Sequence, residues 1–287
     1  MGAALLCVAG AALCSGTAIV LQAVAVRRLP PEARLDAALV GGLARNPVYL
    51  LALVLVATGF ALSFVALRTL PLFAVQAGRA SSLAVAALLA VTVLGARLRW
   101  TDWLGLAGVG TGLVLLASTV ESRPASELGA AATWVVVGGT AALGVAAVLT
   151  ALGPPSTRRG LVLAVLAGGA FAVLALGART APSWHRVDLL TDPLVWCAAV
   201  SGGLGLASSA IALRRAPVVA VTALMVGVET VTGALLGIVL AGDRPAPGSA
   251  AAAACGFVLV LVGAVVVARF GTPETVAAAT PARSTAP

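Results

Sequence analysis

The sequence predicts an all-α integral membrane protein: a bundle of nine membrane-spanning helices, or ten if residues 34–45 also cross, arranged as an inverted repeat. Three observations carry that expectation. The first is composition, since 61% of the 287 residues are hydrophobic and 10% charged, with a mean hydropathy of +1.10, far from the mix of a water-soluble domain. The second is segmentation into apolar runs of about 20 residues, long enough to cross roughly 30 Å of hydrocarbon as helices at 1.5 Å per residue. The third is an internal echo. Ala66-Leu67-Arg68-Thr69-Leu70-Pro71 returns 146 residues later as Ala212-Leu213-Arg214-Arg215-Ala216-Pro217, each between two long apolar runs. Further on, Leu94-Gly95-Ala96-Arg97 falls opposite Leu240-Ala241-Gly242-Asp243, where the second run of each copy ends.

The runs lie near residues 2–26, 46–68, 70–94, 101–119, 129–152, 159–178, 193–213, 216–241 and 249–268. Backbone polar groups at membrane depth must be satisfied within a segment, so helices are the economical choice. The first run has no basic residue before it and no small-residue cleavage site ahead of a polar stretch, and is read as a retained span. After it, Leu29 to Asp36 is polar and Ala37 to Ala44 is apolar for only eight residues. That segment is read as a short interfacial or re-entrant helix, with a tenth span as the alternative. Pro71 follows Arg68 and Thr69 so closely that spans two and three must form an antiparallel hairpin, and Arg214, Arg215 and Pro217 repeat the device. Spans one to four, residues 1–119, are taken as the first repeat and spans five to nine, residues 120–269, as the second. The Ala/Thr/Pro-rich tail, residues 270–287, is expected to be disordered and cytoplasmic.

Counting spans, the copies stand five helices apart. An odd offset reverses the sense in which the second copy crosses, which is the plan of many secondary transporters. Charge gives the orientation. Alternate loops hold twelve arginines on one side (Arg27, Arg28, Arg34, Arg45, Arg97, Arg99, Arg158, Arg159, Arg214, Arg215, Arg269 and Arg283) and five on the other (Arg68, Arg123, Arg179, Arg186 and Arg244). The bias places the N-terminus outside and the C-terminus in the cytoplasm. The net charge of +8 is explained by these flanks, and no nucleic acid partner is expected. All 18 basic residues are Arg, as in a GC-rich bacterial genome, so a bacterial plasma membrane is the expected location.

Only two charged side chains fall deep within spans: Arg79 in span three and Glu229 in span eight, the repeat-related pair. A charge at mid-membrane costs at least ~2.5 to 3.5 kcal/mol on insertion scales, so each needs a partner, an aqueous cavity or a function. Gln76, Arg79 and Ser82 are spaced by three along one side of span three, and Thr222, Met225, Glu229 and Thr232 by three and four along span eight. The candidate binding residues are therefore Gln22, Gln76, Arg79, Ser82, Thr222, Glu229 and Thr232. Gln22 is near the end of its helix and could equally be hydrated. The alternative is that Arg79 and Glu229 merely neutralise each other and lock the bundle. No metal site, cofactor or catalytic set is expected: the cysteines Cys7, Cys14, Cys197 and Cys255 lie within spans without metal-like spacing, and the one histidine, His185, sits in a loop beside Trp184. Nor is there a nucleotide-binding motif or an enzyme's constellation of nucleophile and base. Gly105, Gly108 and Gly112, with Gly233 and Gly237, are read as helix-packing positions, and Trp100, Trp103, Trp134 and Trp184 as interfacial anchors.

The hairpin Ala66 to Pro71, the long helix to Leu94-Gly95-Ala96-Arg97-Leu98 and the Gly-rich helix Trp103 to Leu116 resemble the repeat of the drug/metabolite transporter superfamily, in particular its EamA-like branch. The resemblance covers nearly the whole chain in pattern. It departs in signature: where that branch carries Gly-Glu-Arg/Lys-Leu, Ala96 stands in place of the Glu, and the second copy has Gly242-Asp243-Arg244. It implies a basket of ten helices with one missing or shortened near residues 27–45, and alternating access that moves a small organic solute, more often outward. The partners so implied are that solute, a coupling proton and the lipid bilayer, with the protein a monomer or homodimer. The nine-span layout is also similar to NIPA-type magnesium transporters. Mg²⁺ ranks second because it prefers several oxygen ligands including carboxylates, and Arg79 opposes a cation beside the single deep carboxylate. A membrane scaffold or a flippase of cell-envelope synthesis is the remaining alternative.

Overall fold

A computed structural model describes residues 2–27, 46–96, 98–121, 128–180 and 192–268. The 34–45 segment, Arg97, Trp184, His185 and the tail lie outside the described residues. Every regular element among those described is a helix: α1 (Gly2–Arg27), α2 (Pro47–Leu67), α3 (Leu72–Ala80), α4 (Ser82–Leu94), α5 (Trp100–Thr119), α6 (Ala130–Leu152), α7 (Thr157–Thr180), α8 (Pro193–Arg215), α9 (Val218–Val239) and α10 (Ala250–Val266). With α3 and α4 taken together, eight segments are long and apolar enough to cross a membrane. The protein is thus a multi-pass, all-helical membrane protein; of the spans expected, the ninth is a shorter helix and the third, though long enough to cross, is interrupted at Ser81.

The last run yields a shorter helix. Pro245 to Ser249 is spent in a turn, where the Ser249 N–H donates to the Ala246 carbonyl at 3.0 Å, so α10 begins at Ala250 and has 17 residues. The third run is broken at Ser81. Its N–H donates to both the Ala77 and Gly78 carbonyls at 3.2 Å, and its hydroxyl donates to the Gly78 carbonyl at 2.5 Å. A serine bonding back onto its own helix bends it. Below the break α4 packs on α1, whereas α3 packs on α9.

Two groups of helices surround this junction. In one, α1 lies against α2 and α4; in the other, α7 lies against α8 and α9, with α6 outside them. α7 can be central because small residues line it on more than one side: Ala164, Ala167, Gly168, Ala175, Gly177 and Ala178 are buried, Gly168 against α9 and Gly177 against α8. α5 and α10 form a third, antiparallel pair whose backbones touch. A Cβ at Gly112 would stand 2.6 Å from the Gly256 carbonyl oxygen, and one at Gly263 would stand 2.5 Å from that of Gly105. Close approach of this kind is how helices associate where lipid is as apolar as leucine. Gly112→Ala is accordingly expected to cost about 1–3 kcal/mol in thermal denaturation in detergent, as overpacking does. Gly110→Ala, whose Cβ meets nothing within 4 Å, is expected to leave stability unchanged or slightly raised.

Trp100, Trp103 and Trp134 are 75%, 50% and 72% exposed near helix ends, the positions interfacial anchors require.

Local chemistry sets the helix starts. Asn46 precedes Pro47 and its side chain accepts from the Val48 N–H at 3.0 Å; Asp192 precedes Pro193 and accepts from the Leu194 N–H at 2.8 Å. Both are N-caps followed by a proline whose missing N–H costs nothing there. They stand 146 residues apart, as do Pro71 and Pro217, which precede α3 and α9.

Candidate functional site

α3 and α9 cross antiparallel, and the glycines of α9 allow the crossing to be tight. A Cβ at Gly237 would lie 2.7 Å from the Leu72 Cβ, and one at Gly233 would lie 2.7 Å from the Gln76 amide nitrogen. One turn further along, Arg79 Nη1 stands 2.8 Å from Glu229 Oε1. The register is regular: as α3 advances from Leu72 to Arg79, α9 retreats from Gly237 to Glu229. Gly233 and Gly237 thus have the packing role their spacing suggests.

Three features make this crossing unusual. First, the ion pair is asymmetric in burial: the Arg79 side chain is 26% exposed and that of Glu229 11%. Second, its approach is not aligned as a hydrogen bond, so Oε1 gains charge attraction without a directed donor. Third, the Gln76 amide nitrogen is fully buried at the same crossing and has no hydrogen-bond partner among the described residues. Arg79 also lies over the Phe60 ring of α2, its Cζ 5.2 Å from the centroid, within the range of a cation–π contact. Behind the pair, α7 presses on α9 at Gly168, where a Cβ would come within 3.0 Å of the Glu229 nitrogen.

Coulomb attraction at this separation is about 6 kcal/mol at an effective dielectric of 20. Desolvation costs several kcal/mol per ion, so such a pair roughly breaks even against apolar packing. Stability alone therefore does not account for the two charges. With an unmatched donor beside them, the crossing has the composition of a polar binding point, with one cation, one anion and one amide at a single depth.

The other candidates drawn from the sequence do not join it. Ser82 lies past the break, where its carbonyl would stand 2.8 Å from a Cβ on Gly16 of α1. Thr222 is buried seven residues before Glu229, about 10 Å along α9. Thr232 lines a cavity of about 390 Å³ among α6, α7 and α9 with Gly169 and Leu236, on the side of α9 turned from Gln76. Gln22 is 14 residues along α1 from Val8, the residue against Gly78, hence about 21 Å away. Of the two polar stripes expected, the structure thus brings together Gln76, Arg79 and Glu229, with Phe60 beside Arg79.

A second charged cluster escapes sequence reasoning. Arg179 and Asp243, assigned to loops, are buried, their side chains 1% and 2% exposed, and Arg179 Nη2 donates to Asp243 Oδ1 at 2.8 Å. Asp243 Oδ2 accepts from the Leu72 N–H at 2.5 Å, and Arg179 Nη1 donates to the Leu67 carbonyl at 2.9 Å. The pair thereby serves both helix ends of the α2–α3 turn. Pro71 has no side-chain acceptor, so the first N–H of α3 takes a carboxylate 171 residues away. That proline is the available signal: a helix start without its own cap needs an acceptor from elsewhere. At the opposite end of the bundle Arg215 donates to the last carbonyls of α6, at Ala151 (2.7 Å) and Thr150 (3.3 Å).

No protein-family model matches this chain, and no curated protein or solved structure does.

Proposed function

We propose that this protein is a secondary transporter of the drug/metabolite type, exporting a small organic solute across a bacterial plasma membrane by alternating access at the α3–α9 crossing. The observation that carries the reading is the Arg79–Glu229 pair: two charges on the two repeat-related helices, meeting at one depth beside an unmatched Gln76 donor. Ionisable groups inside a membrane are functional by default, and transporters place their sites where repeats meet.

The inverted repeat draws support from matched devices at one spacing. Asn46-Pro47 and Asp192-Pro193 start α2 and α8, Gly59 and Gly205 receive α1 and α7, and Pro71 and Pro217 start α3 and α9. The arrangement pairs α1, α2, α3–α4 and α5 with α7, α8, α9 and α10. By that pairing α6, not a helix near residues 27–45, is the one without a counterpart among the described residues. The antiparallel contact of α3 with α9 is what opposite crossing senses require. The arginine bias then puts the Asp243 end outside and the Arg215 end in the cytoplasm.

An ionic site of zero net charge suits a solute with both a cationic and an anionic group, or an anion accompanied by a proton at Glu229. Mg²⁺ ranks second, since Glu229 is the one carboxylate at the crossing among the described residues and already faces a guanidinium. The test compares metabolites in cells with and without the protein. Candidate solutes are then followed into proteoliposomes with and without a pH gradient. Solute accumulation that requires the protein is expected; Mg²⁺ flux with indifference to organic solutes would reverse the ranking.

A further inference from the structure

Resting on the transporter reading above, we propose that Arg179 and Asp243 are its outer gate: a latch joining the α2–α3 turn to the α9–α10 loop, whose release is the outward-opening step. The latch bridges the two halves at one end of the bundle. Its polar bonds run from the second half to backbone groups of the first, the Leu67 carbonyl and the Leu72 N–H. Leu67, Leu70, Leu72 and Ala241, none more than 3% exposed, close the same end. Glu229 lies eight residues below Gly237, so the latch stands about 12 Å above the ionic crossing along α9.

A latch differs from a fixed clamp in what opening exposes. Arg179, Asp243 and the two helix-end groups are at the end of their helices, where water can satisfy each of them on release. Charges buried at mid-depth have no such outlet. In the closed form Arg179 Nη1 and Nη2 and both Asp243 oxygens are bonded, while the buried Arg179 Nε has no hydrogen-bond partner among the described residues. Opening therefore exchanges protein partners for water at a modest cost, as a two-state element needs.

The opposite end does not repeat the device in its sequence. The position 146 residues before Asp243 is Arg97, and a guanidinium has no acceptor for a helix N–H. The asymmetry favours a resting state closed outside. It accords with α9 lying along α3 while α4 turns away to α1 after Ser81.

The test measures distances between spin labels in the full chain, with Cys7, Cys14, Cys197 and Cys255 replaced by serine. One pair sits at Thr69 and Arg244 beside the latch, the other at Thr101 and Arg214 at the far end; all four positions are exposed. Asp243→Asn keeps an acceptor for Leu72 but removes the charge. It is expected to raise the ratio of long to short outer distances on the order of tenfold, the weight of a charge-assisted hydrogen bond. The inner distance should shorten in parallel. If that variant is not recovered folded, Arg179→Lys, which keeps the charge but cannot reach Leu67 and Asp243 together, is measured for the same outcome. Reciprocal change supports the latch whether or not a solute has been found, because the distances need none. An outer change without the inner one, or no change, overturns it. Flux of a solute with unmoved distances would overturn the latch and leave the transporter reading standing.

Discussion

Asp243→Ala is expected to cost the folded, closed form about 3–5 kcal/mol, the scale on which breaking a buried ion pair destabilises. The loss has two parts. Arg179, 1% exposed, loses the carboxylate that stands 2.8 Å from its Nη2, and the first N–H of α3 loses its acceptor because Pro71 offers none. Against a total stability of roughly 5–15 kcal/mol, that is a large fraction. Arg179→Ala should cost about as much, and the double variant less than the two together, because it removes both charges and not one. Urea or thermal unfolding in detergent reads the cycle. Strict additivity would mean that the two residues act separately.

The second large effect separates Arg79 from Glu229. Arg79→Ala leaves a carboxylate that is 11% exposed and buried against α7, whereas Glu229→Ala leaves a guanidinium 26% exposed and still stacked on Phe60. The charge left behind determines the cost. Arg79→Ala is therefore expected to approach about 3–5 kcal/mol and Glu229→Ala to lose distinctly less. Both should lower transport well beyond their loss of folded protein. Equal destabilisation, with transport tracking folded yield, would make the pair a simple clamp.

Much of this is legible in the chain and some is not, for identifiable reasons. Hydrophobic runs announce spans because the bilayer imposes one length and forbids open backbone, and Arg79 and Glu229 stand out because a charge in such a run is rare. Their pairing follows from the echo of Ala66 to Pro71 in Ala212 to Pro217. What periodicity along single helices does not give is rotation. Thr232 and Gly233 are neighbours in sequence, yet one faces α6 and α7 and the other Gln76. Ser82 is lost to the site because Ser81 breaks the helix just before it. Arg179 and Asp243 escape notice because a charge beyond an apolar run reads as a solvated loop. Their burial depends on a helix end 171 residues from Asp243 that lacks a cap of its own.

The most direct test is flux per folded molecule for wild type, Arg79→Ala, Glu229→Ala and Arg79→Ala/Glu229→Ala in proteoliposomes. The double variant leaves no unpaired charge and is expected to insert and fold. Folding without transport is the predicted result. A double variant that folds and carries solute at the wild-type rate would show that the crossing is held by this pair and not used through it.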